Sequence, residues 1–248
     1  MHRFYLPPEQ CAGHMLRLEG REVHHALHVL RVERGEPVIV LDGAGSEFLC
    51  EVASVSREAV ELRVTKKNSI PSLPGRITLL QALPRGKIIE SIIQKAVELG
   101  AHRIVPLLTE RVVTRFDDRS AEHKREKWQQ VATEAIKQCG AAWLPETEAP
   151  TTIREFLARK EKFDLSLVGS LQSDRRHPRE IISQFEKANG RLPKSVAVWI
   201  GPEGDFTPDE LKAIETGGAL PISLGRLVLR VETAAIYCLS ILNYELGR

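Results

Sequence analysis

The stretch Ser195-Val-Ala-Val-Trp-Ile-Gly-Pro-Glu-Gly-Asp-Phe-Thr-Pro-Asp-Glu210 decides the fold of this chain. Its first six residues are mostly apolar and rich in β-branched side chains, which predicts a buried strand. Thr207, Pro208 and Glu210 then form a helix-start signal, because they supply an N-cap, a proline at the first helical position and a capping box. Turns of this kind, between a buried strand and a helix N-terminus, are where α/β proteins place ligands. We therefore expect an α/β fold with a ligand site at this turn.

The charge of this turn limits which ligands it can bind. No lysine or arginine lies between Ile200 and Leu211, whereas four acidic residues do: Glu203, Asp205, Asp209 and Glu210. These carboxylates would repel a phosphate and accept a cationic or hydroxyl-rich ligand. The chain also contains neither Gly-x-x-x-x-Gly-Lys-Ser/Thr nor Gly-x-Gly-x-x-Gly, which excludes the common nucleotide-binding motifs.

A second glycine turn follows a second strand candidate. Leu220-Pro-Ile-Ser-Leu224 is followed by Gly225-Arg-Leu-Val-Leu-Arg230 and then by a helix. We expect the two turns to form two walls of one pocket, with backbone groups on the edge of an adenine and Leu227, Val228 and Leu229 on its faces. The alternative is that both are ordinary connecting loops whose glycines only permit tight turns.

The pattern along the chain predicts two domains, 1–72 and 73–248, joined by a linker at 68–75. The first contains short strands and one helix at about 21–31, which favours a small β-barrel. The second alternates strands and helices, which predicts a mostly parallel sheet covered by helices. Strands are predicted at 3–6, 14–18, 37–41, 47–55, 59–65, 76–82, 103–107, 164–169, 196–200 and 221–224, and later helices at 87–99, 122–138, 178–188, 208–215 and 232–246.

Composition describes a soluble globular protein, with 42% hydrophobic and 27% charged residues and a formal charge of +2. The four cysteines have no short spacing, so we expect isolated buried thiols rather than a zinc ribbon or a redox motif. His24 and His28 share a helix face without a third ligand, and no metal is expected. The longest apolar-rich stretch, 233–242, is about half a membrane span, so we expect a cytoplasmic protein.

The last predicted helix has almost no polar face. Ala234, Ala235, Ile236, Tyr237, Cys238, Leu239, Ile241 and Leu242 follow one another with a single interruption. A helix that is apolar all round is buried on all sides. In a chain of this length a subunit interface is one way to cover the outer face, so we predict a homodimer.

The two turns closely resemble the signature of the RsmE family, SAM-dependent 16S rRNA (uracil-N3)-methyltransferases of the SPOUT superfamily. The resemblance rests on Ile200-Gly-Pro-Glu-Gly-Asp-Phe-Thr207 and on Leu224-Gly-Arg-Leu-Val-Leu-Arg-Val-Glu-Thr-Ala234. Met1-His-Arg-Phe-Tyr5, His25-Ala-Leu-His-Val-Leu-Arg31 and Lys95-Ala-Val-Glu-Leu-Gly100 stand where that family has further motifs. The resemblance implies a PUA-like, RNA-binding β-barrel at 1–72, followed by a SPOUT methyltransferase domain at 73–248 with a deep trefoil knot and a homodimeric arrangement.

The family also implies the cofactor and the residues that hold it. S-adenosyl-L-methionine (SAM) would be bound by Val168, Gly169, Ile200, Gly201, Pro202, Glu203, Gly204, Leu224, Gly225, Leu227, Val228, Leu229 and Thr233. We assign Arg230 to the negative charge that develops on the uracil, and Glu203 to the sulfonium or to proton relay. The partner would be the 16S rRNA of the small ribosomal subunit.

In the first domain, Arg3, His25, Arg31 and Arg34 are the candidates for RNA binding; the alternative is a solvated rim. Residues 1–73 carry nine Lys or Arg and ten Asp or Glu, so any RNA footprint must be a local patch.

The chain departs from the family pattern in two places. The family usually has glycine at the position of Asp205, and a Glu-Gln-Ser/Cys-x-Arg run where this chain has Lys137-Gln-Cys-Gly-Ala141. Aspartate adopts left-handed backbone angles more readily than most residues, so we expect the turn to be kept. The role of the arginine that is missing at Ala141 is not transferred to Lys137.

Two other functions remain open at this point. One is a SPOUT methyltransferase that acts on another RNA base or on a ribose 2′-hydroxyl. The other is a non-catalytic RNA-binding or ribosome-assembly protein that retains the fold.

Overall fold

The computed structural model describes residues 1–111, 117–171 and 174–247. It divides into two compact units. The first is Met1–Ser72 together with Thr133–Leu144, and the second is Leu73–Ala132 together with Pro145–Arg248. No sequence signal had indicated that residues 133–144 pack with the first unit.

The first unit contains a five-stranded sheet in the order β1-β3-β4-β5-β2. The first and third strands run parallel and the other neighbours run antiparallel. The strands are β1 His2–Tyr5, β2 Met15–Glu19, β3 Pro37–Leu41, β4 Ser46–Val55 and β5 Ala59–Ser69. Because Asn68 and Ser69 pair with Glu47 and Ser46 of β4, the strand continues into what the sequence had suggested was linker.

The helix of this unit changes its winding part of the way along. α1, Gly20–His24, continues as a π-helical segment, His25–Leu30, which ends at Arg31 with a φ of +55°. Single π-turns often occur at functional sites. Val23 and Ala26 point into the core of the sheet, beside Phe4 and Leu62.

The second unit is built on a seven-stranded sheet in which every pairing is parallel. The order is β12-β10-β11-β6-β7-β8, with β9 also paired to β7. The strands are β6 Arg76–Ala82, β7 Ala101–Leu108, β8 Glu146–Thr147, β9 Thr151–Thr152, β10 Leu165–Gly169, β11 Ser195–Ile200 and β12 Leu220–Ile222. Since β10 lies between β11 and β12, the turns that follow these three strands lie at one edge of the sheet.

Helices cover this sheet, as the alternation of strands and helices predicted. They are α2 Ile88–Glu98, α3 Asp118–Cys139, α4 Ile153–Ala158, α5 Pro178–Asn189, α6 Pro208–Thr216 and α7 Val231–Leu246. The short α4 was missed, although Thr152 and Glu155 form a capping box before it. Among the described residues, no helix is long and apolar enough to cross a membrane.

The four thiols are free, and one differs from the expectation of burial. Cys139 is exposed at the end of α3, because the helix presents its last residue to solvent there. Burial raises the pKa of Cys11 to about 11 and that of Cys50 and Cys238 to about 12. These three thiols are therefore protonated at neutral pH and unsuited to act as nucleophiles.

Candidate functional site: a cavity at the carboxyl ends of three parallel strands

A cavity of about 440 Å³ opens at the carboxyl ends of β10, β11 and β12. This volume lies in the range typical of small-molecule sites, about 300–1,000 Å³. Its walls are the turn after each of these strands and the start of α7. The lining residues are Ile88, Gly169, Ser170, Leu171, Arg175, Ile200, Gly201, Pro202, Glu203, Asp205, Leu224, Gly225, Leu227, Val228, Leu229, Arg230, Val231, Glu232 and Ala234.

The turn after β11, residues 201–207, is called the acidic turn below. It ends in the predicted capping box: the Glu210 N–H donates to Thr207 Oγ1 at 3.3 Å, and the Thr207 N–H donates to Glu210 Oε2 at 2.8 Å. Pro208 occupies the first turn of α6, as predicted. Asp205 has a φ of +61°, so it adopts the left-handed conformation that aspartate was expected to tolerate at this position. The local geometry of this turn is therefore encoded within it.

Groups from distant loops hold the acidic turn in place. Glu203 Oε1 accepts a hydrogen bond from the Arg85 N–H at 2.9 Å, and buried Glu210 Oε1 accepts one from the Glu110 N–H at 2.8 Å. The Arg111 guanidinium donates to the carbonyl oxygens of Gly204 and Asp205. The acidic turn is thus fixed from the ends of β6 and β7 before any ligand binds.

The turn after β12, residues 223–230, is called the apolar turn below. Gly225 has a φ of +112°, and a Cβ at this position would meet no atom within 4 Å, so backbone conformation alone requires the glycine. Leu227 and Val228 are 79% and 77% exposed although they line the cavity. Arg230 is the N-cap residue of α7 and makes no side-chain cap hydrogen bond. This turn therefore presents apolar surface to the cavity.

Most of the predicted cofactor-binding residues line this one cavity. Those that do are Gly169, Ile200, Gly201, Pro202, Glu203, Leu224, Gly225, Leu227, Val228 and Leu229, together with Arg230. Val168, Gly204 and Thr233 are not among the lining residues. Val168 is fully buried because it is paired within the sheet. Gly204 and Thr233 are exposed.

Arg175 is a lining residue that the sequence reasoning missed. It lies in the loop between β10 and α5, and its Nη1 donates to the Ser170 carbonyl at 3.2 Å. Ser170 and Leu171 of the same loop, Ile88 of α2, and Val231, Glu232 and Ala234 at the start of α7 also line the cavity without having been predicted. Val231, Glu232 and Ala234 lie within the motif at 224–234 but were not assigned to the site, whereas no motif marked the other segments, which only the folding of the sheet brings to the cavity.

The charge of the cavity is mixed rather than purely acidic. Glu203, Asp205 and Glu232 contribute carboxylates, whereas Arg175 and Arg230 contribute guanidinium groups. The expectation of an acidic site was incomplete, because it counted only residues adjacent in sequence. A ligand with a cationic centre, an anionic end and a flat apolar body would find complementary groups here.

The four RNA-binding candidates lie in the first unit and differ in their surroundings. Arg3 Nη1 donates to the Gln138 carbonyl at 3.1 Å, and its guanidinium lies against Gly140, so this side chain binds the end of α3. His25 contacts the ring of Phe4 edge to face, and its buried Nδ1 has no hydrogen-bond partner among the described residues. Arg31 and Arg34 are exposed.

Lys137 is buried in the first unit and is not among the residues that line the cavity. Its Nζ lies 2.8 Å from Glu22 Oε1 and 2.9 Å from Glu134 Oε1. This ion cluster accounts for the lysine without any role at the cavity. Across the described residues, no group of three or more His, Cys, Asp or Glu side chains is placed to hold a metal ion.

Comparison with known families identifies both parts of the chain. A model of an RNA methyltransferase domain matches residues 71–243, and a model of an RNA methyltransferase PUA domain matches residues 18–65. A ribosomal RNA small subunit methyltransferase E of Bacillus subtilis is 34% identical over 92% of this chain and 89% of its own length. The protein of the same name from Synechocystis is 33% identical over 98% of this chain and 77% of its own length.

Solved structures agree with these matches. A ribosomal RNA small subunit methyltransferase E of Neisseria gonorrhoeae, bound to S-adenosyl methionine, has a TM-score of 0.86 at 26% identity and covers 98% of this chain and 97% of its own. A Legionella pneumophila protein solved with bound SAM has a TM-score of 0.86 at 33% identity, over 98% of this chain and 96% of its own. The chain belongs to the RNA methyltransferase family of the ribosomal RNA small subunit methyltransferases E.

Proposed function

We propose that this chain is a SAM-dependent methyltransferase of small-subunit ribosomal RNA and that it methylates N3 of a uridine in 16S rRNA. The observation that carries the proposal is the meeting of the acidic and apolar turns around one cavity at the carboxyl ends of β11 and β12. Parallel α/β sheets bind their ligands at this edge. Relatives that share this fold over nearly the whole chain are rRNA methyltransferases, one of them solved with SAM.

The residues present fit SAM. Leu227 and Val228 expose apolar surface to the cavity, as the faces of an adenine require. Glu203 and Asp205 favour the sulfonium, and Arg175 provides a cation for the carboxylate of the methionyl part. SAM, when bound, supplies an electrophilic methyl group.

We assign Arg230 and Glu203 to the chemistry at the uracil. N3 of uracil carries a proton, so the enzyme must stabilise the anion that forms across O2 and O4 when the proton leaves. Arg230 is exposed at the cavity wall and is free to approach these oxygens. Glu203 either favours the sulfonium or relays the proton. Because N3 lies on the pairing edge, the base must be unpaired or turned out of its stack.

We also propose that the chain forms a homodimer through α7. One face of this helix is buried in the sheet, but Tyr237 is 44% and Tyr244 78% exposed on the other. These residues are seven apart and so lie on one stripe of the helix. Light scattering should give twice the chain mass, and Tyr237→Asp with Tyr244→Asp should give the monomer. A monomeric wild type would contradict this arrangement.

The first unit is the proposed RNA-binding module, and we place the protein in the cytoplasm with its ribosomal substrate. Arg31 and Arg34 are the exposed cations of this unit that we assign to phosphate contact, and His25 is assigned to RNA binding with them. Arg3 is proposed as a weaker contributor, because its guanidinium already binds the end of α3.

The decisive experiment is methyl transfer to purified small ribosomal subunits from a strain that lacks the gene. We expect the labelled nucleoside to be 3-methyluridine, identified by mass spectrometry after digestion of the 16S rRNA. Another methylated base or a 2′-O-methyl nucleoside would refute the N3 assignment and leave a methyltransferase of different target. Absence of heat on titration with SAM would refute the enzyme itself and favour a non-catalytic RNA-binding protein.

A further inference from the structure

Three exposed cations stand around the mouth of the cavity without lining it. Arg85 and Lys87 lie in the turn between β6 and α2, and Arg226 lies in the apolar turn. Each is placed at the rim by a neighbour: the Arg85 N–H binds Glu203, Lys87 precedes Ile88, and Arg226 stands between Gly225 and Leu227. The three cations therefore flank the opening on two sides.

None of these three side chains has an acidic partner within the described part of the chain. Glu90 is spaced to pair with Lys87, three residues along α2, but its Oε1 binds Lys127 Nζ at 2.6 Å instead. Glu203 takes the backbone N–H of Arg85 rather than its guanidinium. Some other surface cations of this unit are paired, such as Arg191 with Asp164 at 2.8 Å. The rim cations are thus left available to a ligand.

The position of these cations separates them from the cofactor site. The guanidinium groups of Arg175 and Arg230 belong to residues that line the cavity, whereas Arg85, Lys87 and Arg226 do not. A ligand inside the cavity has its anionic end matched without them. A ligand that these cations bind must therefore lie across the mouth and carry negative charge on both sides of it.

We propose that Arg85, Lys87 and Arg226 bind backbone phosphates on the two sides of the target nucleotide. A single RNA strand crossing the mouth carries a phosphate at each nucleotide, and lysine and arginine are the side chains that contact phosphates. Glu203, Asp205 and Glu232 line the cavity, where the cofactor and the extruded base enter, whereas the three cations lie outside the lining, where the phosphates of the strand would pass. This inference rests on the proposed function and adds to it a phosphate-binding site on the second unit, around the mouth of the cavity.

The test is a salt titration of RNA binding by single alanine variants and by the triple variant Arg85→Ala, Lys87→Ala, Arg226→Ala. Unmethylated small subunits are the ligand, and affinity is measured between about 50 and 200 mM salt, the range over which phosphate contacts weaken most visibly. Each lost contact should reduce the slope of log affinity against log salt by about 0.7 to 0.9. We expect the triple variant to lose about tenfold or more in RNA affinity, with its Kd for SAM unchanged.

Lys187→Ala is the matched control. Lys187 is also exposed, but it lies near the end of α5, which leads into the amino end of β11, at the edge of the sheet opposite to the cavity. Its removal should change neither the slope nor the affinity. Lys87→Glu should weaken RNA binding more than Lys87→Ala, because it adds repulsion, and Lys87→Arg should retain binding.

Several outcomes would overturn the proposal. They are an unchanged salt slope in the triple variant, an equal loss in Lys187→Ala, or a weakened Kd for SAM at wild-type RNA affinity. SAM titration and thermal unfolding of each variant establish that it is folded. If the wild type itself fails to methylate the subunits, the proposed function fails. If the wild type methylates them and the rim variants match it in RNA binding, only the proposed phosphate contacts of the three cations fail.

Discussion

The acidic turn and the apolar turn form two walls of one cavity, but distant groups bind the acidic turn at several points and the apolar turn only through the Ser223 N–H, which donates to the Arg176 carbonyl at 2.9 Å, among the described residues. The acidic turn is bound by a capping box and by groups from the ends of β6 and β7, which include the Arg85 N–H, the Glu110 N–H and the Arg111 guanidinium. In the apolar turn, the hydroxyl of Ser223 and the backbone of Gly225 bind each other at 3.3 Å, and Leu227 and Val228 remain exposed.

This difference indicates that the two turns have different roles. Hydrogen bonds formed on folding pre-organise the acidic turn, so its carboxylates are in place before the cofactor arrives. The apolar turn exposes large side chains at a cost in hydration that a bound ligand would remove. We expect changes in the acidic turn to affect stability, and changes in the apolar turn to affect binding and turnover.

The largest expected effect comes from Arg230→Ala, at the end of the apolar turn. Removing a group that stabilises developing negative charge in the transition state costs about 10²- to 10³-fold in rate. We expect kcat for methylation to fall by this order while the Kd for SAM changes little. The measurements are single-turnover methylation of small subunits and calorimetric titration with SAM.

Arg230→Lys is the control for this variant, since it keeps the positive charge but loses the planar set of N–H donors of the guanidinium group. It should recover part of the rate. A loss of SAM affinity large enough to account for the whole loss of rate would refute the assignment of Arg230 to the uracil, and would place it with the cofactor.

The next largest effect is expected from Leu227→Ser combined with Val228→Ser. Both side chains are mostly exposed, so their loss should leave the melting temperature unchanged. If they cover the adenine, the apolar area lost on binding is worth about 1 kcal/mol for each side chain, or about tenfold or more in the Kd for SAM. Val55→Ser, on the first unit, is the control, because Val55 is 42% exposed and should affect neither quantity. Unchanged SAM affinity in the double variant would contradict the role of the apolar turn.

The sequence predicted the parts of the molecule that are encoded locally. The start of α6 was predicted to the residue, because Thr207, Pro208 and Glu210 interact with one another within a single turn. Five of the seven strands of the parallel sheet were predicted within two residues at each end, since apolar runs mark them directly. The two-residue strands β8 and β9 have no apolar run and were missed. The acidic turn and the apolar turn were recognised for the same reason, because each lies between a predicted strand and a predicted helix.

The parts that depend on distant contacts were not predicted. Arg111 reaches the carbonyl oxygens of the acidic turn across 93 sequence positions, and Arg175 enters the cavity from a loop without a motif. Residues 133–144 pack with the first unit through contacts such as the hydrogen bond from Arg3 to the Gln138 carbonyl. No sequence pattern predicts such contacts. In the described chain, therefore, the two turns and Arg230 could be predicted from local sequence, whereas Arg111 and Arg175 could not.

The smallest effect separates the stability of the acidic turn from its function. Thr207→Ala removes the N-cap acceptor of α6, which should lower the free energy of unfolding by about 1 kcal/mol. Thr152→Ala removes the same acceptor from the capping box of α4, which does not line the cavity. Urea denaturation should give similar losses for both variants. Because the Thr207 hydroxyl accepts the N–H of Glu210, whose carboxylate in turn binds the Glu110 N–H, only Thr207→Ala should weaken SAM binding as well, by a few-fold. Equal SAM affinities in the two variants would mean that the cap stabilises α6 without pre-organising the acidic turn.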